Sequence, residues 1–175
     1  MRQAVFLDRD GVINKAVVKD GKPYPPASLH DFELLPGVES ATHALRKAGF
    51  LIVVVTNQPD VATGVQKREV VESMHQKLYE SEICDDVRVC YHSDADACNC
   101  RKPKPGMLLE AAEQWAIDLK GSFLVGDRWR DVAAGKAAGC KTFFIDYKYR
   151  EQTAKSPDAV VTSLEEAARH ILKLK

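Results

Sequence analysis

Long apolar runs are missing from this sequence. The longest, residues 50–55, is the length of one strand and far too short to span a membrane. The chain also has no net charge, because 25 Lys and Arg residues balance 25 Asp and Glu residues. This balance argues against a broad electrostatic surface, so we expect neither nucleic acid nor a membrane as a partner. Internal repeats and low-complexity segments are absent as well. Hydrophobic residues make up 45% and charged residues 29%, as is typical of a globular chain.

The length of 175 residues predicts one domain of ordinary size. The first three residues lead directly into an apolar strand pattern, so we expect no signal peptide and a cytoplasmic protein. The five cysteines are an odd number, and Cys90, Cys98 and Cys100 lie in one short stretch. In a cytosolic chain such clusters indicate metal ligands rather than disulfides.

Strand and helix patterns alternate along the chain and predict a three-layer α/β/α, Rossmann-like parallel sheet. The predicted strands are residues 4–7, 50–55, 87–91, 122–125, 141–145 and 159–161. The predicted helices are residues 37–48, 67–82, 105–117, 130–138 and 163–172. Residues 11–36, which are rich in proline, are predicted to form a long loop of functional importance.

Two carboxylates, Asp8 and Asp10, follow the first predicted strand directly. Alternation along an extended chain points both side chains the same way, at the sheet edge where open α/β folds bind ligands. Such a pair either holds a hard divalent cation or divides the roles of nucleophile and acid/base. Taken alone, the same residues would also suit a solvated turn.

Three further polar segments lie where they would meet this pair. They are Thr56-Asn57-Gln58 after the second strand, Asp127-Arg128 after the fourth, and Arg101-Lys102 before the helix that leads to the fourth. Each alone could be a helix cap, a turn or a solvated basic loop. Together they supply carboxylates, donors and cations at one sheet edge, which is what phosphoryl transfer requires.

The cysteine cluster forms a pattern with one histidine. Cys90-x-His92 and Cys98-x-Cys100 are separated by five residues, giving three thiolates and one imidazole. Four such ligands fill a tetrahedral zinc site without an open position, so we predict a structural Zn²⁺ that fixes the following basic segment. The alternative is a fortuitous cluster beside an unrelated histidine.

The remaining cysteines and histidines receive no chemical role. Cys84 and Cys140 are expected to be small buried residues. The other histidines are predicted on loop or helix surfaces: His30, His43, His75 and His170.

The segments FLDRDGV, VVTNQ, RKPKPG and VGDRWRD, in this order, resemble the motifs of the haloacid dehalogenase (HAD) superfamily, subfamily IIIA. The resemblance covers nearly the whole chain. It implies a HAD-like fold. No stretch of this chain is long enough for a separate cap domain, so we expect an open site flanked by loops 11–35, 57–66 and 91–104. The resemblance also implies a phosphoric monoester hydrolase that uses Mg²⁺ and an aspartyl-phosphate intermediate.

The resemblance assigns roles to matching positions. Asp8 would be the nucleophile, and Asp10 would protonate the leaving alcohol and then activate water. Asp8, the backbone carbonyl of Asp10, and Asp127 would hold Mg²⁺. Thr56 and Lys102 would hold the transferring phosphoryl group.

The resemblance also implies contacts with the substrate. The residues that would contact the substrate are Asn57, Gln58, Arg101 and Arg128. Asp131 would be an outer-sphere or helix N-terminal carboxylate.

The expected substrate is a small phosphorylated metabolite. Within the superfamily, residues 37–55 and the freestanding chain resemble the branch that removes the 7-phosphate of D-glycero-D-manno-heptose 1,7-bisphosphate. The short Cys-His spacing followed by RKPK resembles the histidinol-phosphate branch instead. Residues 14–35 and 59–62 depart from the heptose pattern. We favour the heptose bisphosphate, with histidinol phosphate as the alternative.

Other classes of function are less well supported. A nucleic-acid 3′-end phosphatase shares these motifs but would call for a basic, aromatic surface. A non-catalytic zinc-stabilised binding module would not need both Asp8 and Asp10. A phosphomutase would need a cap to exclude water. We expect a monomer.

Overall fold

The computed structural model describes all 175 residues, in eight strands and five helices. The strands are β1 (Ala4–Leu7), β2 (Val17–Lys19), β3 (Lys22–Tyr24), β4 (Leu51–Asn57), β5 (Asp86–Cys90), β6 (Phe123–Gly126), β7 (Lys141–Ile145) and β8 (Ala159–Val161). The helices are α1 (Val38–Lys47), α2 (Arg68–Glu80), α3 (Gly106–Trp115), α4 (Trp129–Ala138) and α5 (Leu164–Lys173), with a 3₁₀ turn at Asp94–Asp96. None of the helices combines the length and apolar character needed to cross a membrane.

Six of the strands form one parallel sheet in the order β5-β4-β1-β6-β7-β8. The chain builds outward from β1 through β4 to β5, then returns to the other side of β1 for β6, β7 and β8. The switch point therefore lies between β1 and β6. In open α/β sheets, ligands bind outside the carboxyl ends of the strands at this point.

Alternating residues of the sheet face two separate cores, which is why the fold has three layers. Val5 and Leu7 belong to a core that includes residues of α1, α2 and α5. Ala4 and Phe6 belong to a second core with residues of α3 and α4. Every residue of β1 is fully buried, as expected for a central parallel strand.

All six predicted sheet strands and all five predicted helices are confirmed, with shifts of a few residues at their ends. The prediction that residues 11–36 form only a loop is wrong, because β2 and β3 make an antiparallel hairpin within it. Asp20 and Gly21 form its turn, both with positive φ (52° and 77°). An Asp-Gly pair after two valines is a recognised hairpin signal, but the neighbouring prolines obscured it.

Candidate active site

A cleft of about 240 Å³ opens at the carboxyl ends of β1 and β4. Its walls come from all three loops that the sequence predicted to flank the site. Residues 22–25 of the hairpin form one wall, Asn57 and residues 59–60 another, and residues 101–102 a third. Asp8 and Asp10 both line this cleft, so alternation along the chain placed them correctly on one side.

Asp8 and Lys102 form the floor of the cleft. The backbone N–H of Asp8 donates to the carbonyl of Val125 at 3.0 Å, which fixes the end of β1 against β6. The buried ammonium of Lys102 donates to Asp8 Oδ1 at 2.9 Å, to Asp131 Oδ1 at 2.6 Å and to the carbonyl of Val55 at 2.7 Å. All three of its protons are thereby used, which holds the ammonium beside the Asp8 carboxylate.

Three buried carboxylates, Asp8, Asp127 and Asp131, have ligand atoms within 4.8 Å of one another. Three negative charges and the one ammonium of Lys102 leave a formal charge of −2 in this buried cluster. Burial and the charge of Asp131 raise the pKa of Asp8 to about 6, although Lys102 opposes the rise. Burial and the charge of Asp8 raise the pKa of Asp127 well above its usual range.

One oxygen of this cluster has no hydrogen-bond partner. Asp127 Oδ2 accepts from the hydroxyl of Tyr149 at 2.8 Å, whereas the buried Oδ1 has none. A buried, unpartnered carboxylate oxygen in a cluster of formal charge −2 fits a hard divalent cation, which takes oxygen ligands. Asp131 is less available, because Oδ1 accepts from Lys102 and Oδ2 from the backbone N–H of Arg128 at the start of α4.

Two glycines allow this close packing. Gly11 has φ of +87°, and a Cβ there would lie 2.0 Å from Asp127 Oδ2. At Gly126 a Cβ would lie 2.1 Å from the Cβ of Asp131. The carboxylates can approach the backbone only because both positions lack a side chain.

Asp10 is held by donors from three residues. Asn14 Nδ2 donates to Oδ1 and Gln58 Nε2 to Oδ2, each at 2.9 Å. The guanidinium of Arg9 donates to both oxygens, at 3.0 Å and 3.2 Å from Nη2. Both oxygens are therefore engaged, and the orientation of the carboxylate is strongly determined.

A buried histidine stands behind this arrangement. His75 lies on α2 and is only 6% exposed, so the prediction of a surface position is wrong. Its Nε2 lies 3.1 Å from Nη1 of Arg9, which is itself fully buried. Burial and the neighbouring guanidinium lower the pKa of His75 to about 4, so its ring is neutral near pH 7.

Residues 56–58, at the carboxyl end of β4, include two buried side chains and one that lines the cleft. Thr56 is buried, and its hydroxyl accepts from Gln58 Nε2 at 2.9 Å. Gln58 is 1% exposed and lies behind Asp10 rather than in the cleft, where a substrate contact had been predicted. Asn57 does line the cleft, and it brackets the backbone of Lys102 with two hydrogen bonds of 3.1 Å.

Three arginines line the cleft, and each contacts an acidic residue. Arg128 pairs with Glu151. Arg101 Nε donates to Asp94 Oδ1 at 2.8 Å, and Arg130 Nη1 donates to the same oxygen at 3.1 Å. Arg130 was not predicted as a site residue; its position two residues after Arg128, at the start of α4, is the signal that could have identified it.

The predicted zinc ligands come together beside this cleft. The sulfur of Cys90 lies 3.7 Å from that of Cys98 and 3.0 Å from that of Cys100, and Cys98 lies 3.5 Å from Cys100. His92 Nδ1 lies 3.3 Å from Cys100 and 3.7 Å from Cys90. Zn–S bonds of about 2.3 Å in tetrahedral geometry place sulfurs about 3.8 Å apart, so these four side chains could hold Zn²⁺. Cys84 and Cys140 are buried elsewhere, as predicted.

The chain is similar to proteins of a known family. Residues 99–167 match the HAD-hydrolase-like family. The chain is 35% identical to the D-glycero-beta-D-manno-heptose-1,7-bisphosphate 7-phosphatase of Vibrio cholerae, over 99% of this chain and 98% of the relative. It is 37% identical to the enzyme of the same name from Rhodopseudomonas palustris, over 81% and 82%.

A solved structure is similar over almost its full length. The D,D-heptose 1,7-bisphosphate phosphatase from B. bronchiseptica, complexed with magnesium and phosphate, is 29% identical, with a TM-score of 0.86 over 99% of each chain. With these relatives, and with its aspartate pair at the switch point of a six-stranded parallel sheet, the chain belongs to the HAD-like family of phosphatases.

Proposed function

We propose that this protein hydrolyses D-glycero-D-manno-heptose 1,7-bisphosphate, releasing the 7-phosphate through an aspartyl-phosphate on Asp8. The observation that carries the proposal is the floor of the cleft, where Asp8 lies 2.9 Å from a fully engaged Lys102 in a buried cluster of formal charge −2. The choice of substrate is supported by relatives of that name that align along nearly the whole chain.

The donor set at the floor of the cleft fits Mg²⁺. Asp8, the backbone carbonyl of Asp10 and the free Oδ1 of Asp127 would hold it, since a hard cation takes oxygen ligands. When bound, the cation supplies screening of the repulsion between the Asp8 carboxylate and an anionic phosphate.

The first step is displacement at phosphorus. A carboxylate oxygen of Asp8 forms a bond to phosphorus while the bond from phosphorus to the sugar oxygen breaks. Asp10, on the same side of the cleft, gives its proton to the departing alkoxide. The ammonium of Lys102 lies against Asp8 and balances negative charge on the transferring group.

The second step reverses the role of Asp10. As a carboxylate it takes a proton from water, whose oxygen attacks phosphorus and displaces the Asp8 oxygen. Phosphate leaves and both aspartates return to their starting state. Asn57 keeps the backbone of Lys102 in place from the cleft wall, whereas Thr56, predicted to hold the phosphoryl group, is 1% exposed and does not line the cleft. Arg101 and Arg128 face the rest of the substrate from the cleft walls.

The cluster of Cys90, His92, Cys98 and Cys100 holds a structural Zn²⁺ in this proposal. The distances between its ligand atoms, 3.0 to 3.7 Å, support that assignment. A four-ligand site has no open position for chemistry, so its task is to fix the loop that carries Arg101 and Lys102. The chain would act as a single domain and as a monomer.

The test is phosphate release in the presence of Mg²⁺. The panel holds both anomers of the heptose 1,7-bisphosphate, histidinol phosphate, other sugar phosphates and a 3′-phosphorylated oligonucleotide. We expect one heptose anomer to be preferred several hundredfold in kcat/KM, which corresponds to about 3–4 kcal/mol of selective transition-state binding. A larger kcat/KM for histidinol phosphate or for the oligonucleotide would assign the alternative substrate.

The nucleophile is tested in the same assay. Asp8→Asn should reduce turnover by at least about 10³-fold, because a neutral amide cannot form the acyl phosphate. Asp20→Asn makes the same chemical change in the exposed hairpin turn and should leave turnover unaltered. Equal turnover by Asp8→Asn and the parent protein would remove the nucleophile role.

A further inference from the structure

Arg9 is the largest fully buried side chain of the protein. It stands between the two aspartates of the motif and does not line the cleft. Its guanidinium makes two kinds of contact: it grips both oxygens of Asp10 and lies 3.1 Å from His75 Nε2. The ring of Phe32 covers it, with the guanidinium carbon 5.7 Å from the ring centroid.

Arg9 is the hydrogen-bond donor in both of these contacts. A guanidinium can only donate, so the contact with Nε2 requires that nitrogen to be an unprotonated acceptor. His75 is therefore neutral and accepts from Arg9, while Arg9 donates to Asp10. His75 lies on α2, 66 residues from Arg9 in the sequence. The hydrogen bonds from Arg9 to His75 and to Asp10 therefore couple the orientation of Asp10 to the helix layer on one face of the sheet.

Stability alone is a poor explanation for this arrangement. Removing a guanidinium from water is energetically costly, and a buried ion pair often stabilises a fold no better than apolar residues of similar volume. What the fork geometry of arginine does provide is a fixed direction for a carboxylate. His75 in turn fixes the plane of the fork, since it holds the Nη1 end that Asp10 does not use.

We propose that Arg9 and His75 are positioning residues that aim the carboxyl group of Asp10 for proton transfer to the leaving alcohol. The inference rests on the acid/base role of Asp10 in the proposed function. Neither residue touches the substrate. Their effect reaches the reaction only through the direction of the Asp10 carboxyl group.

The test uses two substrates of similar size that differ in their need for a proton. The leaving group of 4-nitrophenyl phosphate departs as a stable anion, whereas that of benzyl phosphate must be protonated. The ratio kcat/KM reports the steps up to formation of the aspartyl-phosphate, so it isolates this first proton transfer. A merely structural defect would lower both values equally.

We expect His75→Leu, which removes the acceptor, to lower kcat/KM for benzyl phosphate by about 10- to 100-fold, which is part of the roughly 10²- to 10⁴-fold that general acid catalysis contributes. For 4-nitrophenyl phosphate the loss should stay within about threefold, since no general acid is required there. His75→Gln restores an acceptor oxygen near the position of Nε2 and should recover most of the benzyl phosphate activity. His43→Leu, on the exposed face of α1, is the matched control and should change neither.

Each remaining outcome counts against the inference. Equal losses on both substrates by folded His75→Leu, or no loss on either, would overturn it. If His75→Leu does not fold, Arg9→Lys replaces it, because an ammonium keeps the charge but loses the fork, and it should show the same selective loss. If the parent protein released phosphate from no substrate at all, the proposed function would fail first and the inference with it.

Discussion

The two carboxylate oxygens of Asp127 differ in their hydrogen bonding. One oxygen accepts from the hydroxyl of Tyr149 and the other is left free, so the tyrosine determines which oxygen can meet a cation. Partners of this kind orient ligating carboxylates, and their loss typically costs 10- to 100-fold in metal affinity.

We therefore expect Tyr149→Phe to raise the dissociation constant for Mg²⁺ by about 10-fold, because Asp127 would lose its orienting donor. Isothermal titration of Mg²⁺ into the protein measures this without recourse to turnover. Tyr79→Phe makes the same change on α2, where the hydroxyl accepts from the backbone N–H of Val87, and should leave the affinity unaltered. An unchanged affinity in Tyr149→Phe would contradict the role of the tyrosine.

Gly11 offers a second test at this scale, because backbone strain and steric clash can be separated. Gly11→Ala and Gly139→Ala place a methyl group at nearly the same positive φ, +87° and +88°, so each should lose about 1–2 kcal/mol of unfolding free energy. Only at Gly11 would the new Cβ meet Asp127 Oδ2, at 2.0 Å, whereas at Gly139 nothing lies within 4 Å.

The expected result is loss of Mg²⁺ binding and of phosphate release in Gly11→Ala alone. Denaturant unfolding, together with the Mg²⁺ titration, measures both effects. Comparable Mg²⁺ affinity in the two variants would mean that Asp127 can move aside, and that its close approach to Gly11 is unimportant.

Among the elements, the loop between β5 and α3 has little regular structure of its own. It carries His92, Cys98 and Cys100, together with Arg101 and Lys102, yet it contains only a short 3₁₀ turn of regular structure. Asp94, on that turn, contacts both Arg101 and Arg130. A four-ligand metal site is a sufficient constraint for a loop of this kind.

Cys98→Ser should therefore lower the zinc content from about one ion per chain and increase hydrogen exchange in residues 91–104. Because Lys102 lies in this loop, kcat/KM should fall as well. Cys84→Ser alters a buried thiol outside the cluster and should retain the zinc, as measured by elemental analysis. Full zinc content and unchanged exchange in Cys98→Ser would argue against a tetrahedral site.

At the scale of the whole molecule, the buried carboxylates connect stability to pH and to Mg²⁺. The pKa of Asp8 rises from 3.8 to about 6 on folding, and that of Asp127 rises too. The folded state thus binds protons more tightly than the unfolded state. These groups favour folding at low pH, and their contribution is lost as the pH rises through about 6.

A cation that needs both carboxylates ionised should oppose that loss. Mg²⁺ at about 100 times its dissociation constant adds about 2.7 kcal/mol of stability. We expect this increase at about pH 7.5 and a much smaller one at about pH 5, where protons compete for the same oxygens. Thermal unfolding with and without Mg²⁺ at the two pH values measures it. An equal increase at both would show that the cation binds elsewhere.

Much of this protein follows from local pattern. The six sheet strands and five helices were predictable, because apolar periodicity reflects which face of each element is buried. The sequence also indicated which side chains of the aspartate pair and of the Cys-His pattern point the same way, since residues two apart lie on the same side of an extended chain. The β2–β3 hairpin was missed although its Asp-Gly turn is local, because prolines within and beside β3 indicated a loop.

Only the tertiary structure decided how these groups are held. His75 lies 66 residues from Arg9, and Tyr149 lies 22 from Asp127, so no short pattern connects either pair. His75 was predicted at the surface because a position in a helix indicates which face of the helix a residue occupies. It does not indicate that a buried guanidinium lies against that face. The sequence by itself determined which chemical groups reach the carboxyl edge of the sheet. Long-range packing determined which of their atoms are engaged and which remain free, because hydrogen-bond partners are chosen in space and not along the chain.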